Sequence, residues 1–480
     1  MSSLITYFLI AILLLLVIFL DFRRKIDLSN KAVMSLYLIF VPHITILVYM
    51  FNQYSSTQQN AALWRYSLVA AILLITYLWL KVNILPHSKK LIDDFRIRVL
   101  MGSRRLILYG LYSSFGQIPV YYFAVRLVTK YTIPPYILVL DIIVTVLFVA
   151  ALHTNGMLRV LITSRRLNTI KKIIIGSTMY IPVINILLII YLASITKSEY
   201  RYEYYRIINR NIRIDSAICK TQYPLLMLHG VGFKDLKHIN YWGRIPKELI
   251  RHGATIYYGN QEAWGTIEYN AEFLKNRVLE IVNQTGCQKV NIIAHSKGGL
   301  DARYMISKLE MGSYVASLTT ISTPHRGSKI IDIIYCIPKG IFKALGNFID
   351  WYIRLLGDKN PDVFTAVRQL STDYCKEFNE EVKDSEQVYY QSYATLMNNI
   401  FSDYILTIPC FLLWLIDGKN DGLVSVESAK WGEFKGVLKN KYSRGISHGD
   451  IIDLRRNDYK GFDAREKFIE IVSDLKNRGY

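Results

Sequence analysis

The stretch "VNIIAHSKGGLDARY", residues 290–304, decides how the C-terminal half of this 480-residue chain is read. Val290, Ile292, Ile293 and Ala294 lead into His295-Ser296-Lys297-Gly298-Gly299, and a segment of helical pattern follows. An apolar run of that length reads as a buried strand, and the helix pattern straight after it leaves Ser296 on a sharp turn. Such a turn crowds the positions two before and two after the serine, so both must be small; here they are Ala294 and Gly298. Ala294 stands where the pattern usually has glycine, a departure of one methyl group. Alone, the pattern arises often by chance. With a strand before it and a helix after it, it reads as the elbow that presents a nucleophilic serine.

The flanking sequence supports that setting. "YPLLMLHG" reads as a buried strand, "IPKELIRHG" as a helix stopped by glycine, "ATIYYGN" as a strand and "YNAEFLKNRVLEIVNQTG" as a helix with a terminal glycine. Alternation of continuous apolar strands with amphipathic helices indicates an α/β domain with a mainly parallel sheet. A serine nucleophile then needs an acid and a histidine later in the chain, in the order Ser, Asp, His. "LWLIDGKNDGLVSVESAKWG" reads as an apolar strand ending in a loop with Asp417 and Asp421. "YSRGISHGDIID" supplies His448, which alone among nine histidines lies after both other members. Neutral imidazole can take the serine proton and return it, while the carboxylate fixes its tautomer. The developing oxyanion needs two backbone N–H donors: Lys297, just after the serine, and Val231 in the "LHGVGF" loop. His229 in that loop shapes the turn.

Seven motifs in order carry a family resemblance: "YPLLMLHGVGF", "YWGRIPKELIRHGATIYY", "VNIIAHSKGGLDARY", "ISTPHRGS", "QLSTDYCKEFN", "NDGLVSVESAKWG" and "SHGDIIDL". Over residues 222–475 the chain resembles the bacterial triacylglycerol lipases of the α/β-hydrolase fold. The resemblance implies Ser296 as nucleophile, Asp421 as acid with Asp417 as the alternative, His448 as base, and Val231 and Lys297 as oxyanion donors. It implies a lid between residues 329 and 362, where Ile341, Leu345, Phe348 and Tyr352 share a helical stripe flanked by Phe342, Ile349 and Ile353. Many such lipases hold a structural calcium, and Asp450 matches one ligand. Leu454 stands where the family has a glutamine, and calcium needs six or more oxygens, so Asp450 reads as a surface carboxylate. The chemistry needs no cofactor.

The first 200 residues have another character. They carry 14 of the net 20 positive charges. Apolar runs recur at 4–20, 33–50, 66–84, 106–127, 136–155 and 173–194, each near the roughly 20 residues that cross a bilayer as helix. A cleaved signal does not fit, since "DFRRK" and five more runs follow the first. The loops "DFRRKIDLSNK", "HSKKLIDDFRIRVLMGSRR" and "RVLITSRRLNTIKK" are basic, whereas "FNQYSSTQQNAALWR" and "TKYTIPP" are poorly charged. Lys and Arg concentrate on the cytoplasmic side, so six crossings would leave the rest of the chain outside. Pro42, Pro119 and Pro182 fall at sites where a helix can kink, and Asp141 and His153 are intramembrane candidates for function or for structural pairing.

Positive charge set between apolar runs, without a basic tract carrying interleaved aromatics, excludes nucleic acid as the partner and points to the bilayer. Five dispersed cysteines imply neither a disulfide framework nor a zinc site. The expectation is therefore a multi-span membrane domain at 1–196, a linker at 197–221 and an α/β-hydrolase domain at 222–480 that cleaves carboxylic esters of acyl lipids. Two alternatives stay open: a phospholipase or acyltransferase on the same three residues, and a transporter or receptor carrying an inactive hydrolase-like module.

Overall fold

The computed structural model describes residues 16–21, 28, 30–55, 61–84, 94–130, 133–214, 217–232, 241–335, 350, 354 and 360–480. The chain divides into two compact units, Met1–Ile208 and Asn209–Tyr480.

In the first unit the described helices are α1 (Lys31–Phe40), α2 (Ile44–Ser55), α3 (Ala61–Ile84), α4 (Phe95–Lys130), α5 (Pro135–Thr163), α6 (Thr169–Thr178) and α7 (Pro182–Ile214). Four stretches are long and apolar enough to cross a membrane by length and composition: Ala32–Gln53, Ser67–Ile84, Pro135–Thr163 and Val183–Asn209. The first expected run, 4–20, lies mostly outside the described residues. Pro42 sits in a short 3₁₀ turn, Val41–His43, between α1 and α2, whereas Pro119 is carried inside α4. α4 and α5 pack closely and antiparallel. A Cβ on Gly156 would come within 2.8 Å of the Ile107 side chain and 3.1 Å of the Ser103 carbonyl, so glycine permits the approach.

The sixth expected run, 173–194, is not one helix. It breaks between α6 and α7, just before Pro182, which cannot continue a helix from the N-terminal side. Ten residues of α6 rise only about 15 Å, half the hydrocarbon thickness. The loop before α6 is tied to the charged part of α7. Glu199 accepts hydrogen bonds from the Ser164 hydroxyl (2.6 Å) and the Arg165 amide (3.1 Å), and pairs with Arg96 at the start of α4 (2.7 Å). The expected linker 197–221 is helical as far as Ile214, as the second half of α7.

The second unit contains β1 (Leu225–Leu228), α8 (Ile245–Arg251), β2 (Ile256–Tyr258), α9 (Ile267–Thr285), β3 (Val290–His295), α10 (Gly298–Lys308), β4 (Val315–Ile321), α11 (Lys329–Ile334), α12 (Val363–Arg368), α13 (Thr372–Glu381), β5 (Tyr389–Thr395), α14 (Thr407–Asp417), β6 (Glu433–Leu438) and α15 (Ala464–Asn477). The six strands form one sheet in the order β2-β1-β3-β4-β5-β6, every pairing parallel. A parallel sheet needs cover on both faces, which is why its inner strands β1, β3 and β4 are buried along their whole length. Leu225, Met227 and Ile293 face Trp242, Ile245, Leu249 and Phe468 on one side. Leu226, Leu228, Ile292 and Ala294 face Leu274, Val278, Ala302 and Met305 of α9 and α10 on the other. The strand's period of two sorts the same apolar run into two cores.

Local signals agree with this architecture. Thr266 caps α9 through the Tyr269 amide, and Gly286 ends it in the left-handed conformation (φ 68°). One expectation fails. The apolar segment before Asp417 is the helix α14, not a strand, and it lies outside the sheet between β5 and β6. Run length alone does not separate a short buried strand from an apolar helix. The expected lid stripe, Ile341 to Ile353, lies outside the described residues.

Candidate active site

Ser296 stands at the C-terminal edge of the central strand β3, with α10 starting two residues later. Its backbone has φ 55°, the left-handed region that a non-glycine residue rarely enters. Strain of this kind is the mark of an elbow held by its surroundings. The small neighbours have a measurable cause. A Cβ on Gly298 would lie 2.5 Å from the His229 carbonyl oxygen, and one on Gly299 would lie 2.3 Å from the Thr323 hydroxyl. Ala294 is fully buried against α9 and α10, where its single methyl fits.

His448 and Asp421 are brought together, on loops that follow β6 and α14. His448 Nδ1 lies 3.0 Å from Asp421 Oδ2, and the His448 amide donates to the Asp421 carbonyl at 2.9 Å. The carboxylate is satisfied on every side: Thr395 donates to Oδ2 (2.8 Å), and the amides of Leu423 (3.1 Å) and Val424 (2.9 Å) donate to Oδ1. Burial pushes the Asp421 pKa up, but His448 and these hydrogen bonds outweigh it, and the carboxyl is held below its usual range. The imidazole of His448 lies against that of His295, the residue before Ser296, with ring centres 4.4 Å apart.

The loop after β1 reaches the serine. A Cβ on Gly230 would come within 2.7 Å of Ser296 Cβ and 3.2 Å of its hydroxyl, so only glycine lets the backbone pass so close. The next residue is Val231. Among the described residues neither the Val231 nor the Lys297 amide engages a backbone carbonyl, which leaves both open to an oxyanion. The His229 ring sits between the carbonyls of Gly230 (2.8 Å) and Gln261 (2.9 Å), and Gln261 returns a bond to the His229 carbonyl (2.9 Å). It therefore shapes the loop. The Lys297 side chain is buried away from solvent in an ion pair with Asp301 (2.6 Å), and Asn270 closes the pair (3.0 Å).

Asp417 and Asp450 lie elsewhere in chemical terms. Asp417, at the end of α14, pairs with Lys329 at 2.7 Å. Asp450 is buried, not the surface carboxylate expected; it is bound through both oxygens to Arg444 (2.9 and 3.1 Å), and it accepts from the Ser447 amide at 3.3 Å. A guanidinium already occupies the place of a cation, and Leu454 offers no oxygen, so these donors do not fit calcium.

Three participants escaped the sequence reading. His295 is fully buried, its Nδ1 is 2.7 Å from the Tyr241 hydroxyl, and burial followed by the nearness of His448 holds its pKa well below the usual imidazole value. It is a neutral packing surface for His448. Thr395, at the end of β5, steadies Asp421 and is itself bonded to Ser322 (2.7 Å). His295 is visible in the opening stretch as a histidine before the serine; Tyr241 and Thr395 carry no local signal and arrive only through the sheet order.

Comparison with known proteins gives the family. Residues 238–332 match the family described as "Putative serine esterase (DUF676)". Triacylglycerol lipase 2 of Saccharomyces cerevisiae is 31% identical over 267 residues, covering 52% of this chain and 77% of that one. A triacylglycerol lipase of Vibrio cholerae is 37% identical over 259 residues, covering 49% of this chain and 80% of its own. Among solved structures, a mature lipase of Bacillus licheniformis aligns over 52% of this chain and 91% of its own, at 21% identity and a TM-score of 0.39. With relatives this similar over this much of their length, the chain belongs to the lipase and serine-esterase family of α/β-hydrolases and is a carboxylic ester hydrolase.

Proposed function

We propose that this protein is a membrane-tethered lipase that cleaves the carboxylic esters of acyl lipids through an acyl-enzyme. Ser296 attacks the ester carbonyl while His448 takes its proton, and Asp421 holds the imidazole with its Nδ1 proton facing the carboxylate. The amides of Val231 and Lys297 receive the oxyanion. His448 returns the proton to the leaving alcohol, and water then repeats the sequence on the acyl-serine. The observation that carries this reading is the buried Asp421–His448 bond, with His448 set against the residue preceding a strained serine. A fluorophosphonate probe should label the wild type and not Ser296→Ala. Labelling that survives the substitution overturns the reading.

An acyl-lipid substrate is supported by α14 and the turn before it. Ile408, Phe411, Trp414 and Leu415 of α14 are 43–71% exposed, as are Phe401 and Ile405 in the turn before it (67% and 78%), just ahead of the Asp421 loop. So large an apolar stripe in water marks a surface that meets a partner, and beside an esterase site that partner is the lipid.

The tether also bears on the side from which substrate is drawn. An extracytoplasmic hydrolase unit follows from an even number of crossings, with the basic loops on the cytoplasmic side. The stretch Val183–Asn209 is long and apolar enough to be the last of them. A reporter fused after Tyr480 that works only outside the cytoplasm should be active; activity of one that works only in the cytoplasm sinks this placement.

A further inference from the structure

The break between α6 and α7 builds something in the first unit. Met179, Tyr180 and Asn185, from the break and the start of α7, line one end of a cavity of about 490 Å³ against α4 and α5. That size is ordinary for a small-molecule site. The α5 residues that line it, Thr145 to Thr154, stand in the middle of a helix long and apolar enough to cross a membrane. Its wall is mostly apolar, with a few polar groups set at that depth.

Its polar wall is built rather than incidental. Gln117 Oε1 lies 2.5 Å from His43 Nε2, while Gln117 Nε2 donates to the Leu38 carbonyl and the Ser113 hydroxyl, both at 3.3 Å. The Tyr121 hydroxyl bonds to Thr145 (2.9 Å) and to Asp141 (3.2 Å). Behind both, His43 Nδ1 lies 2.7 Å from Asp141 Oδ2, a dyad fixed further by Thr45. The expectation for Asp141 thus resolves into pairing, and the pairing locks the side chains that face the cavity. His153 also lines the cavity. Its Nε2 is buried without a hydrogen-bond partner among the described residues, and its ring fits only because position 110 is glycine.

Two further features select the occupant. Among the described residues no Lys, Arg, Asp or Glu lines the cavity, so a phosphate or a carboxylate would enter without a counter-charge from them. The rim residues Val146 (60% exposed) and Tyr180 (73%) belong to the apolar outer surface, so the mouth opens toward acyl chains rather than along the helices. We propose that this cavity binds the neutral, hydroxyl-bearing head of a lipid, an acylglycerol with a free hydroxyl. Hydroxyls would meet the Tyr121 hydroxyl and the Asn185 carboxamide oxygen, and the chains would leave past Val146. The choice of acylglycerol rests on the lipase reading above, since ester hydrolysis of an acyl lipid releases such an alcohol; the neutral amphiphile does not.

The test uses the purified full chain in phosphatidylcholine nanodiscs with a diazirine-bearing diacylglycerol. Saturable labelling should map to residues 145–154 or 179–185. Dioleoylglycerol should compete, whereas phosphatidate and oleate should not. Val149→Phe fills the cavity from its apolar wall and should weaken labelling about tenfold or more, a change of about 1.4 kcal/mol. His153→Gln, which keeps a polar group, should weaken it less. Fluorophosphonate labelling of Ser296 in the same samples shows that the protein is intact and should not change. Non-saturable labelling, equal competition by phosphatidate, or undiminished labelling of Val149→Phe overturns the site. Loss of fluorophosphonate labelling from the wild type with the diacylglycerol label intact would instead overturn the lipase reading alone.

Discussion

Replacing Asp421 by asparagine tests the site through a single atom. The two amides of Leu423 and Val424 point at Oδ1, so the asparagine carbonyl must stay there and its NH₂ must take the place of Oδ2. Thr395 can adapt, because its hydroxyl can turn to accept. His448 cannot adapt without cost. Facing an NH₂ at 3.0 Å, its Nδ1 must present a lone pair, which moves the ring proton to Nε2, the nitrogen that should take the proton from Ser296. A base held in the wrong tautomer loses about four powers of ten in kcat, about 5.4 kcal/mol at 1.36 per tenfold. Asp417→Asn breaks only the pair with Lys329, which is itself well exposed, and should change kcat by less than about threefold. The assay is steady-state hydrolysis of a short soluble ester, with fluorophosphonate labelling as the check on Ser296. Asp421→Asn retaining more than about 1% of kcat, or the reverse ranking of the two variants, would refute the reasoning. The same substitution has a thermodynamic signature. The folded pKa of Asp421 lies below the usual aspartate value of about 4, so its charged form stabilises the fold above that pH. That contribution fades as the pH falls through the lower, folded value. The stability difference between wild type and Asp421→Asn should therefore shrink below about pH 4 and not above it.

Three further outcomes follow from the geometry. Gly230→Ala puts a methyl 2.7 Å from Ser296 Cβ and should cut kcat at least roughly tenfold while circular dichroism stays unchanged. Asp301→Ala strands the buried ammonium of Lys297 and should cost about 3–5 kcal/mol in urea unfolding, whereas replacing the pair together, Lys297→Met with Asp301→Leu, should cost far less. Ile408→Ser with Trp414→Ser, both on the exposed stripe, should depress hydrolysis of long-chain emulsified esters far more than that of a soluble ester, and parallel loss of both with a lowered melting temperature would mean that the stripe is core.

What could be read in advance depended on the range of the interaction. The elbow was legible because its requirements are local: a buried strand, small residues two away on either side, and a helix after it. The approach of His448 to Asp421 was legible from chain order. Tyr241, His295 and Thr395 were not, because they meet His448, Asp421 or one another only after β1, β3 and β5 are laid side by side. The segment "TIPCFLLWLID" misled because an apolar run of eleven residues satisfies strand and helix alike when its burial is unknown. The sixth membrane run is shifted rather than lost. Hydropathy averages over the break at Met179–Ile181, and the stretch long and apolar enough to cross starts after it, at Val183–Asn209.

That misread helix also constrains how the enzyme can meet lipid. α14 is tied to the acid loop: the Asn420 side chain donates to the carbonyls of Cys410 (3.2 Å) and Gly418 (2.9 Å), and accepts from the Gly422 amide (2.9 Å). Leu413 is buried beneath it, and a Cβ on Gly422 would strike Leu406. A helix so joined to the residues flanking Asp421 could not swing aside without moving the carboxylate that orients His448. Its exposed stripe is therefore suited to act as a fixed float, pressed into the acyl layer with the catalytic geometry already assembled, and whatever opens the site must be another segment. Interfacial gain from α14 should then enter through binding to the lipid surface, leaving the turnover of a soluble ester untouched.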